Sequence, residues 1–138
     1  MPFDPNGSQE EKNAHYRSVL RAYADGVCRE DLDAILALFA ENAEVEDPVG
    51  EQHQRFGKAA IRTFYESVVA RHVRVKVTGP ICGSKGNAAV MPIHVEVLGT
   101  HIDCISVARF NDQGLIEKYM AHWGPGDVTA ANKLQADV

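Results

Sequence analysis

Basic clusters, long apolar runs and paired cysteines are what this sequence has least of. Lys and Arg number 14 against 19 Asp and Glu in 138 residues, a formal net charge of −5. No segment concentrates the basic residues, which excludes a phosphate-binding footprint and, with it, a nucleic-acid partner. No apolar run approaches the roughly 20 residues that cross a bilayer, so no membrane insertion is expected. The three cysteines, Cys28, Cys82 and Cys104, are odd in number and lack metal-ligand spacing. They read as small buried or half-buried thiols. The six histidines lack such spacing as well, so neither metal nor cofactor is expected. Residues 1–8 lack the basic and apolar regions of a signal peptide, which predicts a cytoplasmic protein. Repeats, linkers and low-complexity segments are missing too. The expectation is one domain over 1–138, with 1–8 and 126–138 as flexible flanks.

What is present is an ordinary globular composition, 45% hydrophobic and 24% charged, and two clear periodicities. Ser8 followed by Glu11 fits a capping box at a helix start. Val19, Leu20, Tyr23, Ala24 and Val27 then recur at helical spacing. Gly26 and the Arg29-Glu30-Asp31 cluster break the pattern. A second helix is expected with Leu32, Ile35, Leu36 and Phe39 on one side, packed on the first as a hairpin. A third is expected over about 58–70, with Ile61, Phe64, Tyr65 and Val68 inward. From His72 onward the period falls to two. Val73, Val75 and Val77 make one strand face, and Met91, Ile93, Val95 and Val97 another. Ile102, Cys104, Ser106, Ala108 and Phe110 follow, and the last strand places Leu115, Glu117, Tyr119, Ala121 and Trp123 together. Pro92 predicts an edge or a bulge, Gly99-Thr100 a tight hairpin. Helices first and strands later give an α+β fold.

The stretch from Asn42 to Gly50 organises the rest. Read as a strand, it puts Ala43, Val45 and Asp47 on one face and Glu44 and Glu46 on the other. Asp47 then lies on the apolar side at the strand end, before Pro48. An inward carboxylate is costly unless it is paired, protonated or used. A turn-forming Asp-Pro that caps nearby amides is the alternative.

Several segments together resemble the bacterial Δ5-3-ketosteroid isomerases. They are Val45-Glu46-Asp47-Pro48-Val49-Gly50, the run from Ala59 to Tyr65, Thr78-Gly79-Pro80, the strand from Val90 to Val97, the run from Val107 to Gly114, and Ala121-His122-Trp123. The likeness covers roughly residues 13 to 124. It implies a conical fold shared with nuclear transport factor 2 and SnoaL-like proteins, in which a curved antiparallel sheet wraps three N-terminal helices around a cavity. It also implies a cofactor-independent isomerase of steroid metabolism acting on a 3-ketosteroid, and a homodimer through the outer sheet face. In that family an Asp at the position of Asp47 moves a proton from C4 to C6 of a 3-oxo-Δ5-steroid, while a Tyr and a protonated Asp hold the dienolate oxygen. Tyr23 matches the Tyr, and Tyr65 matches a Tyr that hydrogen-bonds to it. Met91, Ile93, Val95, Ile102, Cys104 and Trp123 match the apolar wall. Phe39 stands where some members carry a further Tyr.

One departure bears on the chemistry. Alignment through Val107-Ala108-Arg109-Phe110 puts Ser106 where the second oxyanion donor, normally Asp, should stand. Asp103 is the runner-up, should a bulge turn it inward. The departure keeps two other readings open: a steroid-binding protein without turnover, and a SnoaL-like polyketide cyclase. His94 and His122 oppose Met91 and Trp123 on their strands and read as surface or interface residues, against a His–Asp acid–base pair. Ile105 and Val107 make the outer face unusually apolar, consistent with an interface.

Overall fold

The computed structural model describes residues 2–50 and 52–130. Helix α1 (Gln9–Cys28) starts at the expected capping box: the Ser8 hydroxyl accepts from the Glu11 amide and the Glu11 carboxylate from the Ser8 amide. Gly26 does not break this helix. It is buried in the last turn, where an added Cβ would lie 3.1 Å from Ile35 Cγ1, so its missing side chain lets α2 (Leu32–Leu36) approach. The turn between the helices is made at Glu30, with φ 56°. Helix α2 stops at Leu36, and Phe39 opens strand β1 (Phe39–Glu46). Sheet pairing has claimed it. The Ile116 amide donates to Leu38 O at 2.8 Å, and Phe39 registers with Ile116.

Strand β2 (Gln54–Phe56), helix α3 (Lys58–Ala70) and strand β3 (Arg74–Val77) follow. Strands β4 (Ala88–Val97), β5 (Thr100–Phe110) and β6 (Ile116–His122), a 3-10 turn (Pro125–Asp127) and β7 (Val128–Ala130) complete the chain. The sheet runs β2-β1-β6-β5-β4-β3 and curves around the helices without closing. All pairs are antiparallel except β1 with β6. Strand β7 pairs with Thr100, His101 and Ile102, past the stretch of β5 that β6 occupies. A flexible flank is the expectation there; residues 131–138 of that flank lie outside the described residues. No helix among the described residues is long and apolar enough to cross a membrane.

Two local irregularities correct the strand parity. Between Arg109↔Lys118 and Phe110↔Ile116 the register shifts by one residue. This bulge turns Ile116 inward and leaves Glu117 exposed, so Leu115 and Glu117 do not share the face of Tyr119, Ala121 and Trp123. At the end of β1, Glu46 is 8% exposed, although its parity points outward. Its carboxylate accepts from the Gly50 amide at 2.9 Å, where the chain folds back over it. The β4–β5 hairpin turns at Leu98 and Gly99 (φ 50° and 79°), and Thr100 belongs to β5. Pro92 lies inside β4 without a bulge, just past the last residue paired with β3, where its carbonyl takes the Thr78 amide.

Candidate active site

Asp47 directly follows β1, and Trp123 directly follows β6. Parallel neighbours leave a sheet in the same direction, so these two side chains meet across 76 residues of sequence. Trp123 Nε1 donates to Asp47 Oδ1 at 2.8 Å. The Asp47 backbone is also tied down. Its amide donates to His53 O at 3.3 Å, its carbonyl accepts from Arg55 Nη1 at 3.1 Å, and the Asp47–Pro48 peptide is cis. Burial pushes the Asp47 carboxyl above the ordinary aspartate value. The Trp123 N–H and the charges of Arg55, His53 and Arg71 oppose that rise. A carboxylate in this setting is a stronger base than one in water.

Asp47 faces a cavity of about 270 Å³ between the sheet and helices α1 and α3. Of the residues expected at the site, Tyr23, Asp47, Ile93, Val95, Ile102, Cys104, Ser106 and Trp123 line it. Tyr65, Phe39 and Met91 do not. They are fully buried behind the wall, Tyr65 and Phe39 within ring contact of Tyr23 and Met91 paired with Ser106 across β4 and β5. Asp103 is outside. The β4–β5 register is continuous from Thr100 to Arg109, so no bulge reverses the parity, and the Asp103 side chain is 82% exposed. Its Oδ1 lies 3.0 Å from His94 Nδ1 on the outer face, and His94 Nε2 lies 2.9 Å from His101 Nδ1.

One part of the cavity wall is a cluster of hydroxyls. Tyr23, in the buried stripe of α1, shares a 2.8 Å hydrogen bond with Tyr65 of α3. Tyr119 of β6 stacks on Tyr23, with ring centroids 4.5 Å apart, and donates to Ser106 Oγ at 2.5 Å. Burial holds all three phenols well above the ordinary tyrosine value, so they stay neutral donors. The Cys104 thiol beside them is pushed up to about 11, first by burial and then by the Asp47 charge. Such neutral O–H groups can receive a negative charge that develops on a bound oxygen.

Sequence reasoning did not single out Tyr119, Arg55 or Arg71 as lining groups. Tyr119 was legible as an inward residue by its parity with Trp123, but its hydroxyl partner was not. Arg55 sits on β2, where a loop is expected, and its guanidinium packs 4.3 Å from the centre of the Phe64 ring.

Residues 20–119 match the family model of the SnoaL-like domain. The chain belongs to the SnoaL-like family. As a SnoaL-like domain it is 31% identical over 119 residues to the Steroid Delta-isomerase of Nocardioides simplex, covering 84% of this chain and 95% of that protein. Its fold is also similar to a solved structure of SalBIII, an epoxide hydrolase/cyclase-like enzyme described for its role in pyran ring formation in the polyether salinomycin. That match has a TM-score of 0.80 at 26% identity and covers 89% of this chain and 99% of that one. The expected α+β fold and the resemblance to the isomerases therefore hold, and both relatives are named as enzymes.

Proposed function

We propose that this SnoaL-like domain is a cofactor-independent steroid Δ-isomerase. The observation that carries the reading is one carboxylate, Asp47, held by an indole N–H and facing the same cavity as two hydroxyls, Tyr23 and Ser106. Asp47 takes a proton from C4 of a 3-oxo-Δ5-steroid. The electron pair moves towards the C3 oxygen, and a dienolate forms. Tyr23 and Ser106 donate to that oxygen as its charge grows. The proton returns from Asp47 to C6, and the double bond ends at Δ4. At about 270 Å³ the cavity falls just below the roughly 300–1,000 Å³ usual for small-molecule sites, so part of a flat apolar ligand lies inside and the remainder at the opening.

The test is a spectrophotometric assay with 5-androstene-3,17-dione that follows the conjugated enone. Wild type should turn over. Asp47→Asn should lose about 10²–10⁴-fold in kcat, the usual contribution of a positioned general base. A folded wild type that binds the steroid without turnover would make it a binding protein.

A second reading, a SnoaL-like cyclase, is favoured by the likeness to SalBIII and by two guanidiniums, Arg55 and Arg71, on the cavity wall. A neutral steroid has no use for those charges. There too Asp47 would move a proton beside a carbonyl. Activity on a polyketide ester, with none on steroids, would select this reading.

A further inference from the structure

Ser106 is a short side chain in the place where an oxyanion donor is needed, and its one hydrogen must point into the cavity to serve. Nothing in a lone serine fixes that direction, because a hydroxyl rotates to suit its neighbours. The structure supplies a neighbour. Tyr119 and Ser106 are diagonal neighbours across β6 and β5: Ser106 registers with Ala121, and Tyr119 with Ala108. Diagonal pairs lie within reach of a long aromatic side chain. The two oxygens are 2.5 Å apart, and both residues are closed to solvent, at 1% and 0% exposure.

We propose that Tyr119 is a positioning residue for the oxyanion site, donating its O–H to Ser106 Oγ so that the serine hydrogen is turned to the substrate oxygen. The proposal rests on the enolate-forming reading above. A phenol is the more acidic hydroxyl of the pair and therefore the better donor. A tyrosine has one hydrogen, and here it is spent on Ser106 Oγ, so the serine does not need its own hydrogen for this contact. The Cys104 thiol is the neighbour that competes for that hydrogen. Sulfur is a weak acceptor and gives way to an oxyanion.

The same arrangement recurs at the other donor. Tyr23 shares its 2.8 Å bond with Tyr65, which is completely buried. When Tyr65 donates, the Tyr23 hydrogen is free for the cavity. Two hydroxyls then face the substrate, each fed by a second phenol: Tyr23 by Tyr65 from behind the wall, and Ser106 by Tyr119 from within it. Chains of this kind polarise one another, by about 10–30% per bond. The site thus has two neutral donors and no second carboxyl to keep protonated.

The test uses full-length protein carrying Asp47→Asn, so that no carboxylate repels an anion in the cavity. The probe is a nitrophenol whose ionised and neutral forms absorb at different wavelengths. Preference for the phenolate over the neutral phenol reads the oxyanion site and needs no turnover. In the Tyr119→Phe variant that preference should fall by roughly three- to tenfold, the range of one hydrogen bond. Ser106→Ala should lower it at least as far, and Ser106→Thr should retain it. Tyr119→Phe added to Ser106→Ala should then change nothing more. Equal losses in both backgrounds would overturn the proposal, because Tyr119 would be acting through packing alone. An unchanged preference in Tyr119→Phe would overturn it as well. Should Tyr119→Phe fail to fold, full phenolate preference in Ser106→Ala would itself overturn the proposal. A wild type inactive on steroids, with the nitrophenol coupling intact, would count against the isomerase and leave the relay standing.

Discussion

At the scale of single residues, the cavity costs the protein something at Asp47. Because burial raises this carboxyl, the folded protein binds the proton more tightly than the unfolded chain does. The associated stability is complete below the unfolded value of about 4 and is lost as pH rises through the folded one. Asp47→Asn cannot ionise and keeps an acceptor for Trp123. It should melt above wild type at pH 7, and the gap should close towards about pH 4, as measured by thermal denaturation across pH. Activity runs the other way, since the base must be ionised. The acid limb of kcat/KM should lie above the ordinary aspartate value. Trp123→Phe removes a donor to the ionised form and should move that limb to higher pH. A limb that stays in place would show that the indole does not hold the carboxylate. Tyr23→Phe removes an oxyanion donor and should lower kcat by about 10²–10³-fold.

At the scale of elements, turns carry tight constraints. Gly114 lies between β5 and β6 with φ 76°, and a Cβ there would come within 2.6 Å of His15 Nε2 and of the Phe3 ring. Gly114→Ala should cost about 1–3 kcal/mol, seen as a lower urea midpoint with an unchanged slope. The helices and long strands were legible where local chemistry and tertiary demand agree. Ser8 and Glu11 cap α1, the expected span of α3 matches Lys58–Ala70, and strict alternation marks β4 and β5. Legibility ended where they differ. Phe39 suits a helix face as well as a strand, and only its distant partner Ile116 decides. Gly26 looks like a breaker until Ile35 comes up against it. The bulge at Glu117 depends on a register that no single strand records. The inward turn of Asp47 was legible from parity alone, whereas the Tyr119–Ser106 contact needed the registered sheet.

At the scale of the whole molecule, the outer sheet face remains to be accounted for. Ile105 is 53% exposed at the middle of β5, opposite Pro92. A second copy packed on this face is the expected arrangement. Sedimentation at micromolar concentration should give a dimer, and Ile105→Glu should give a monomer. A wild-type monomer would rule the arrangement out.

The parallel pairing of β1 with β6 also sets an order in time. During synthesis β1 emerges long before its larger partner, with only the three-residue β2 beside it, and two strands alone are marginal in water. Ala43 and Val45, fully buried in the finished fold, belong to a strand whose main pairing waits for residues 116–122. Contacts between distant segments form slowly, because loop closure comes before any reward. The carboxylate and its indole tether are 76 residues apart and are brought together by that same closure. A nascent chain can therefore hold all three helices and still have no base in place. Strand β6 joins β1 to the rest of the sheet and completes the site late, with only β7 still to come.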